Sequence, residues 1–153
     1  MILFTKAKAL ILASVLLLFT SHTEAKGIDS RQIKCLTDNA YFESRGEPQK
    51  GQVAVIYTTL NRAASGKFPS DICSVVYQRN QFSWTSNKNR PIKEKELYQE
   101  IKETVHEVIQ GKHEDVTKGA TFFHASSIKK PKDFGNVRCT ARIGGHVFYK
   151  PSK

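Results

Sequence analysis

The stretch AYFESRGEPQKGQ, residues 40–52, joins the two segments that decide the fold. Gly46 and Pro48 lie in its middle, and both residue types end helices. Periodic apolar residues before this break predict a first helix from about Ser30 to Ser44. Those after it predict a second helix from Gly51 to Ala64. The sequence therefore predicts two helices joined by a short charged turn.

Each of the two predicted helices has an apolar stripe at helical spacing. The stripes consist of Ile33, Leu36 and Ala40 in the first helix, and of Val53, Ile56, Tyr57 and Leu60 in the second. Asp29 is the expected N-cap of the first helix, with Gln32 as the return partner of a capping box. The β-branched content of the second segment makes a strand the alternative, but its length and period favour a helix.

The rest of the chain adds two more helices and a small β element. Residues 71–78 predict a short helix, and Glu94–Gln110 predicts an amphipathic helix that ends at Gly111. Strand composition recurs at residues 120–125 and 146–150, separated by a long basic connection over residues 129–145. We therefore predict an α+β fold that is mainly helical, with a small antiparallel β element near the C-terminus.

The first 25 residues have the order of a secretory signal peptide. Lys6 and Lys8 give a positive start, and an apolar run of 11 residues leads towards Thr23 and Ala25. A bilayer span needs about 20 apolar residues, so a retained anchor is the weaker interpretation. The sequence predicts a signal peptide over residues 1–25 and one domain over residues 26–153. That domain is expected to be secreted or periplasmic, with no stable membrane span after cleavage.

The net charge of the chain indicates its class of partner. The charge is +10, and loss of the signal peptide changes it to +9. A strongly basic domain favours polyanions or anionic surfaces. Because the signal peptide argues against nucleic acid, the anionic bacterial envelope is the expected partner.

Three cysteines, Cys35, Cys73 and Cys139, fall in the predicted domain. Export permits a disulfide, and an odd count leaves at least one thiol unpaired or paired between chains. The sequence leaves open which two cysteines pair. No CxxC spacing occurs, which disfavours a zinc ribbon, and neither a metal nor a cofactor is implied.

Two glutamates of the opening stretch are candidates for acid–base chemistry. Glu43 continues the apolar stripe at i+3 from Ala40 and i+7 from Leu36, so we expect it to face apolar surroundings. Burial raises the pKa of a carboxyl group, and a carboxyl protonated near neutral pH can act as a general acid. On spacing alone, a Glu43 that curls outward or pairs with Arg45 is the competing interpretation. Glu47 follows in the turn, where it is expected to pair with Arg45 or accept backbone hydrogen bonds.

Aromatic, amide and hydroxyl side chains suited to a sugar ring occur together in the loop QFSW, residues 81–84. We expect Gln81, Ser83 and Tyr149 to face a groove and Phe82 to face inward, whereas core packing competes for Trp84. Asn61 and Arg62 are expected to end the second helix or brace Glu43. The predicted substrate-binding residues are Glu47, Gln81, Ser83, Trp84, His124 and Tyr149.

These motifs also carry a family resemblance over nearly the whole predicted domain. The chain has, in order, the segments YFESRGEPQKGQVAV, LNR, FPSDICSVVYQ, QFSW and IGGHVFY. Together they resemble the SleB/CwlJ-like family of cell-wall hydrolases, the spore-cortex-lytic type. The family more often has Ala where this chain has Ser44, and the resulting Glu43–Ser44 pair resembles the wider lytic transglycosylase group.

The resemblance implies a lysozyme-like fold, peptidoglycan glycan strands as substrate and Glu43 as the catalytic acid. Members of the family are described both as lytic transglycosylases and as amidases. An ordinary glycosidase needs two carboxyl groups, whereas a lytic transglycosylase needs one, because the C6 hydroxyl of muramic acid attacks intramolecularly. Since Glu43 is the better of two candidates, the sequence favours cleavage of the MurNAc–GlcNAc backbone by a single glutamate.

Two alternatives remain open from the sequence. An N-acetylmuramoyl-L-alanine amidase needs a zinc site or a nucleophile, and only His124 and His146 remain as plausible ligands, without an HExxH pairing. Structural or groove-lining roles are the expected ones for these histidines. A non-catalytic peptidoglycan-binding envelope protein would keep the basic charge and tolerate loss of Glu43. Wall remodelling, spore germination and bacteriophage lysis as an endolysin are all compatible with the sequence.

Overall fold

The computed structural model describes residues 27–87 and 89–152, so the predicted signal peptide lies outside the described residues. Its four α-helices are α1 (Ser30–Ser44), α2 (Gln49–Ala64), α3 (Ile72–Val76) and α4 (Lys95–Ile109). Its three strands are β1 (Phe122–Ala125), β2 (Val137–Ile143) and β3 (His146–Pro151). Short 3-10 turns occupy Ser83–Ser86 and Lys132–Phe134. This confirms the predicted α+β class.

Helix α1 begins and ends where the sequence predicts. The Asp29 carboxylate caps it by accepting a hydrogen bond from the backbone N–H of Gln32 at 2.8 Å. The predicted return bond of a capping box is wrong, because the Gln32 side-chain oxygen accepts from the N–H of Ile72 at 3.1 Å. The glutamine therefore joins the start of α1 to the start of α3.

Helix α2 begins two residues before the predicted Gly51, at Gln49. Pro48 is its N-cap, with φ −62° and ψ 161°, and its carbonyl accepts a hydrogen bond from Gly51 N–H at 2.7 Å. The fixed φ of proline suits a helix entrance. Helix α1 thus ends at Ser44, two residues before Gly46, and Pro48 directly precedes the first residue of α2.

The main core lies where α2, α3 and α4 pack around α1. Its largest fully buried side chains include Tyr41, Leu36, Ile56 and Ile101. A disulfide between Cys35 and Cys73 links α1 to α3 with a Cα–Cα distance of 5.2 Å, whereas Cys139 is free and exposed. The pairing left open by the sequence is therefore Cys35 with Cys73.

The sheet has three antiparallel strands in the order β1–β3–β2. Phe123 is paired with Phe148, and Ile143 is paired with His146. The prediction of residues 129–145 as a connection is wrong over its second half, because Val137–Ile143 forms β2. A register shift between Cys139 and Ala141 interrupts the alternation of inward and outward residues, which hides the strand in the sequence.

The sheet is joined to the helices by a second, smaller core made by Ala54, Ala120, Ile143 and Phe148. This contact fixes the sheet against α2, close to the turn between α1 and α2. Within the described part of the chain, no helix has both the length and the apolar character that a bilayer crossing requires.

Candidate active site

A cleft of about 820 Å³ opens beside the C-terminal end of α1. Glu43 lies on its wall, and the segment after α3 provides most of the other side chains. Gln81 and Ser83, both predicted to face a groove, lie in this cleft together with Glu43. The remaining lining residues are Tyr77, Arg79, Asn80, Phe82, Thr85 and Ser86.

Glu43 is half-buried and lies at the last turn of α1, as the apolar stripe predicts. Burial raises the pKa of its carboxyl group to about 7, against the opposing attraction of Arg62 and Arg90. Desolvation disfavours the carboxylate more than the two guanidinium groups favour it. The carboxyl group is therefore divided between its acid and base forms near neutral pH.

Arg62 is the buried cation on α2 that acts on Glu43. Its side chain is 4% exposed, and its Nε donates a hydrogen bond to the carbonyl of Thr121 at 2.6 Å. Burial lowers the pKa of the guanidinium to about 10, while Glu43 raises it. Its Nη1 has no hydrogen-bond partner among the described residues. The guanidinium carbon lies 5.2–5.9 Å from the ring centroids of Phe68, Phe82 and Phe122.

Asn61 joins the end of α2 to the segment that precedes β1. Its amide nitrogen donates to Asp115 Oδ2 at 2.9 Å and to the carbonyl of Ala120 at 3.1 Å. Together, Asn61 and Arg62 hold the same segment, since Ala120 and Thr121 are consecutive. The pair therefore braces the segment before β1, and it does not end α2, which continues to Ala64.

The predicted Arg45–Glu47 ion pair is wrong. Arg45 pairs with Glu94 at 3.3 Å, while Glu47 turns towards the β2–β3 turn and accepts a hydrogen bond from Gly145 N–H at 2.9 Å. A Cβ atom at Gly144 would lie 1.7 Å from Glu47 Oε2. Glycine at this turn is therefore what lets the carboxylate approach the backbone.

His146 lies beside this contact, with its Nδ1 3.7 Å from Glu47 Oε1. Burial lowers the pKa of His146 although Glu47 opposes the shift. The histidine ring also meets Phe123 edge-on at 5.2 Å. His146 is therefore packed between the sheet and the α1–α2 turn.

Trp84 is not brought into the Glu43 cleft. Its side chain is 6% exposed, and its indole N–H donates to Asn39 Oδ1 at 3.1 Å. The ring stacks on Phe42 with centroids 4.7 Å apart. This placement favours the core-packing alternative for Trp84, while Phe82 is buried as expected.

His124 and Tyr149 are also placed away from the cleft, in an aromatic cluster on the sheet with Phe134. His124 Nδ1 bonds the carbonyl of Ala125 at 2.8 Å, and its Nε2 lies 3.0 Å from the Tyr149 hydroxyl. Because a carbonyl only accepts, Nδ1 carries the proton and Tyr149 donates to Nε2. Substrate contacts by these two residues stay predictions.

Several cleft residues were missed from the sequence. Tyr77 comes directly after α3 and does not continue the apolar stripe of that helix, so 51% of its surface is exposed. Asn80 has a positive φ of 63°, which asparagine tolerates better than most residues. The available signal in the sequence was an aromatic residue that lies off the apolar stripe, directly before a polar turn. Within residues 27–87 and 89–152, no group of three or more His, Cys, Asp or Glu side chains is arranged to hold a metal ion.

The chain belongs to the SleB-like family of cell wall hydrolases, since the family model described as Cell Wall Hydrolase matches residues 46–149. The spore cortex-lytic enzyme of Bacillus cereus is 29% identical over 124 residues, which cover 81% of this chain and 46% of that protein. The Bacillus subtilis enzyme of the same name is 26% identical over 125 residues, covering 80% and 38%. The chain spans less than half the length of these relatives.

Two solved structures share the fold. The catalytic domain of the Bacillus cereus SleB protein superposes with a TM-score of 0.70 at 29% identity, covering 82% of this chain and 94% of that one. The catalytic domain of the germination-specific lytic transglycosylase SleB from Bacillus anthracis gives 0.67 at 28%, covering 82% and 98%. Glu43 lies three residues before the range matched by the family model, but within the helix that opens the fold.

Proposed function

We propose that this chain degrades peptidoglycan by cleaving the MurNAc–GlcNAc bond as a lytic transglycosylase, with Glu43 as the acid and base. The observation that carries the proposal is the half-buried Glu43 on the wall of an open cleft, with its pKa raised to about 7. Membership of the cell wall hydrolase family supports the substrate class. The Bacillus anthracis structure, described as a lytic transglycosylase, supports the reaction type.

In the proposed reaction, protonated Glu43 donates its proton to the glycosidic oxygen as the bond from C1 of muramic acid breaks. The C6 hydroxyl of the same muramic acid attacks C1 and gives its proton to the Glu43 carboxylate. The products are a 1,6-anhydro-muramyl end and a free GlcNAc hydroxyl, and no water is consumed. Because one group serves as acid and then as base, a pKa near neutral suits both steps.

The position of the second carboxyl group supports a single-glutamate reaction. Glu47 is engaged by the N–H of Gly145 and points to the β2–β3 turn, whereas a two-carboxylate glycosidase needs both groups at the scissile bond. In the proposal, Gln81 and Ser83 hydrogen-bond the sugar, and Glu47 holds the corner that carries Glu43. Sugar contacts by Trp84, His124 and Tyr149 stay predictions, since none of the three lines this cleft.

The proposed setting is the cell envelope of bacteria. A signal peptide over residues 1–25 would export the domain as a secreted or periplasmic protein, and its charge of +9 after cleavage would hold it near anionic wall polymers. The disulfide Cys35–Cys73 suits an oxidising compartment outside the cytoplasm.

The test is a mass spectrum of purified peptidoglycan digested by the wild-type domain and by Glu43→Gln. Anhydro-muramyl ends are expected from the wild type and none from the variant. Glu103→Gln, a substitution at an exposed position on α4, is the matched control and should cleave normally. Reducing ends would indicate a hydrolase, released peptides would indicate an amidase, and binding without any product would indicate a wall-binding protein.

A further inference from the structure

A second depression of about 460 Å³ lies next to the Glu43 cleft. Tyr77 and Thr85 line both spaces. Phe42 and Glu43 are consecutive on α1, yet Phe42 faces the second depression and Glu43 faces the cleft. Arg90 lines the second depression and also acts on the pKa of Glu43. The two spaces are therefore neighbouring parts of one groove.

Tyr77 stands at the junction of the two spaces and is half exposed. Its ring meets Trp84 edge-on, with centroids 5.8 Å apart and planes at 66°. Tyr77 ends α3, where its N–H donates to the carbonyl of Cys73 at 2.9 Å. Since Cys73 is disulfide-bonded to α1, this hydrogen bond restrains the backbone of Tyr77.

The second depression has the chemistry of a sugar site. Tyr77 and Phe42 give it an aromatic wall, with the largely buried Trp84 stacked on Phe42 at 4.7 Å. The Arg90 guanidinium lies 5.3 Å from the Phe42 centroid. Thr85 and Asn87 add a hydroxyl and an amide. Aromatic walls with a few polar groups suit pyranose rings, which have apolar faces and hydroxyl edges. A volume of about 460 Å³ falls within the range of ligand pockets.

We propose that this depression is a second glycan subsite and that Tyr77 is the stacking residue that leads the strand into it from the Glu43 cleft. The inference rests on the proposed function and deepens it. The substrate is a glycan strand extending beyond the two sugars at the scissile bond, and Tyr77 confers the preference for longer strands. The sugars, rather than the stem peptides, fill the site.

The test uses the fluorescence of Trp84, the single tryptophan of the chain, which lines the proposed subsite. Glu43→Gln is titrated with a muropeptide disaccharide and with soluble glycan strands of six sugars. We expect only the strands to change the emission. Adding Tyr77→Ala should weaken strand binding about tenfold, whereas Tyr77→Phe should retain it. Disaccharide binding, followed by calorimetry because it leaves the emission unchanged, should be the same in all of these variants. Ile128→Ala, which alters another exposed apolar residue that lies outside both spaces, is the control.

Further measurements separate this inference from the proposed function. If Tyr77→Ala binds strands as tightly as its parent, the inference is overturned even though the domain cleaves peptidoglycan. If Glu43→Gln remains active but strand binding still depends on Tyr77, the assigned chemistry is wrong and the subsite stands. Strands stripped of stem peptides should bind equally well, and a requirement for peptides would overturn the assignment to sugars.

Discussion

Arg62 and Glu43 act on each other from neighbouring helices: the guanidinium lowers the pKa of the carboxyl group, and the carboxylate raises the pKa of the guanidinium. Burial acts in the opposite direction on both, and it is the larger effect in each case. The charge state of Glu43 therefore depends on how completely the cleft excludes water. It also depends on the positive charge of the buried Arg62 guanidinium.

The first prediction concerns the pH dependence of activity. Since a protonated Glu43 starts the reaction and its pKa is raised to about 7, lytic activity should fall as pH rises through about 7. The expected decrease is about tenfold per pH unit above that value. Release of labelled fragments from purified peptidoglycan between pH 5 and 9 measures it. A falling limb near pH 5 would mean that Glu43 keeps an ordinary carboxyl pKa.

The second prediction concerns stability. A carboxyl group whose folded pKa is raised from 4.5 to about 7 stabilises the fold below pH 4.5 relative to higher pH, and this contribution is lost as pH rises through 7. The free energy of unfolding of the wild type should therefore decrease by about 3 kcal/mol relative to Glu43→Gln between pH 4 and 8. Urea denaturation at several pH values measures the difference. Parallel pH profiles for the two proteins would contradict it.

The third prediction separates the charge of Arg62 from its packing. Arg62→Met removes the charge, so the pKa of Glu43 should rise and the falling limb of activity should move to higher pH. Arg62→Lys is the matched control, because it keeps a charge and should leave the limb nearer its wild-type position. Both variants lose the Nε bond to Thr121, so a comparable loss of stability is expected. Identical pH profiles for all three proteins would exclude an electrostatic role.

The fourth prediction concerns Gly144. Its φ is +55°, and a Cβ atom there would collide with the Glu47 carboxylate. Gly144→Ala should lower the free energy of unfolding by roughly 2–3 kcal/mol, because the backbone is strained and the Glu47 carboxylate must turn away and lose its hydrogen bond. Gly66 has a similar φ of +68° with nothing within 4 Å, so Gly66→Ala should cost only about 1 kcal/mol.

A double-mutant cycle checks the cause of the Gly144 effect. In a Glu47→Ala background, the cost of Gly144→Ala should drop towards that of Gly66→Ala, because the colliding carboxylate is gone. Thermal or urea unfolding of the four proteins provides the comparison. Additive costs would show that Glu47 and Gly144 are independent.

The fifth prediction concerns the disulfide. Cys35 and Cys73 close a loop over a sequence separation of 38, and chain-entropy estimates give about 4 kcal/mol of stabilisation for such a loop. The double variant Cys35→Ser/Cys73→Ser should therefore be destabilised by about that amount, measured by urea unfolding. Cys139→Ser changes an exposed free thiol and should leave stability unchanged. A reducing agent should destabilise the wild type but not the double variant.

The helical part of the fold could be predicted because its apolar residues follow a regular period. Helix α1 has the predicted bounds, and the stripe that defines it also placed Glu43 at a partly apolar position. Strand β2 could not be predicted in this way. Only Ile143 of this edge strand is buried, and the register shift breaks the alternation of inward and outward residues.

In the candidate site, too, features set by neighbouring residues could be predicted, whereas contacts between distant segments could not. Gln81 and Ser83 were found because polar and aromatic residues alternate in one loop, and they do line the cleft. Contacts between distant segments were not readable: Arg45 meets Glu94 instead of Glu47, and Arg62 is buried between aromatic rings from three segments. Tyr77 was missed because its exposure becomes evident only once α3 is placed.

The hydrogen bond from Gly145 to Glu47 has a consequence for the order in which the domain assembles. It joins residues 98 positions apart, so this contact with the α1–α2 turn forms only when the β2–β3 turn is in place. During synthesis the helices leave the ribosome first, and contacts of such large sequence separation form slowly. We therefore expect the contact between Glu47 and Gly145 to form later than the local hydrogen bonds of the α1–α2 turn.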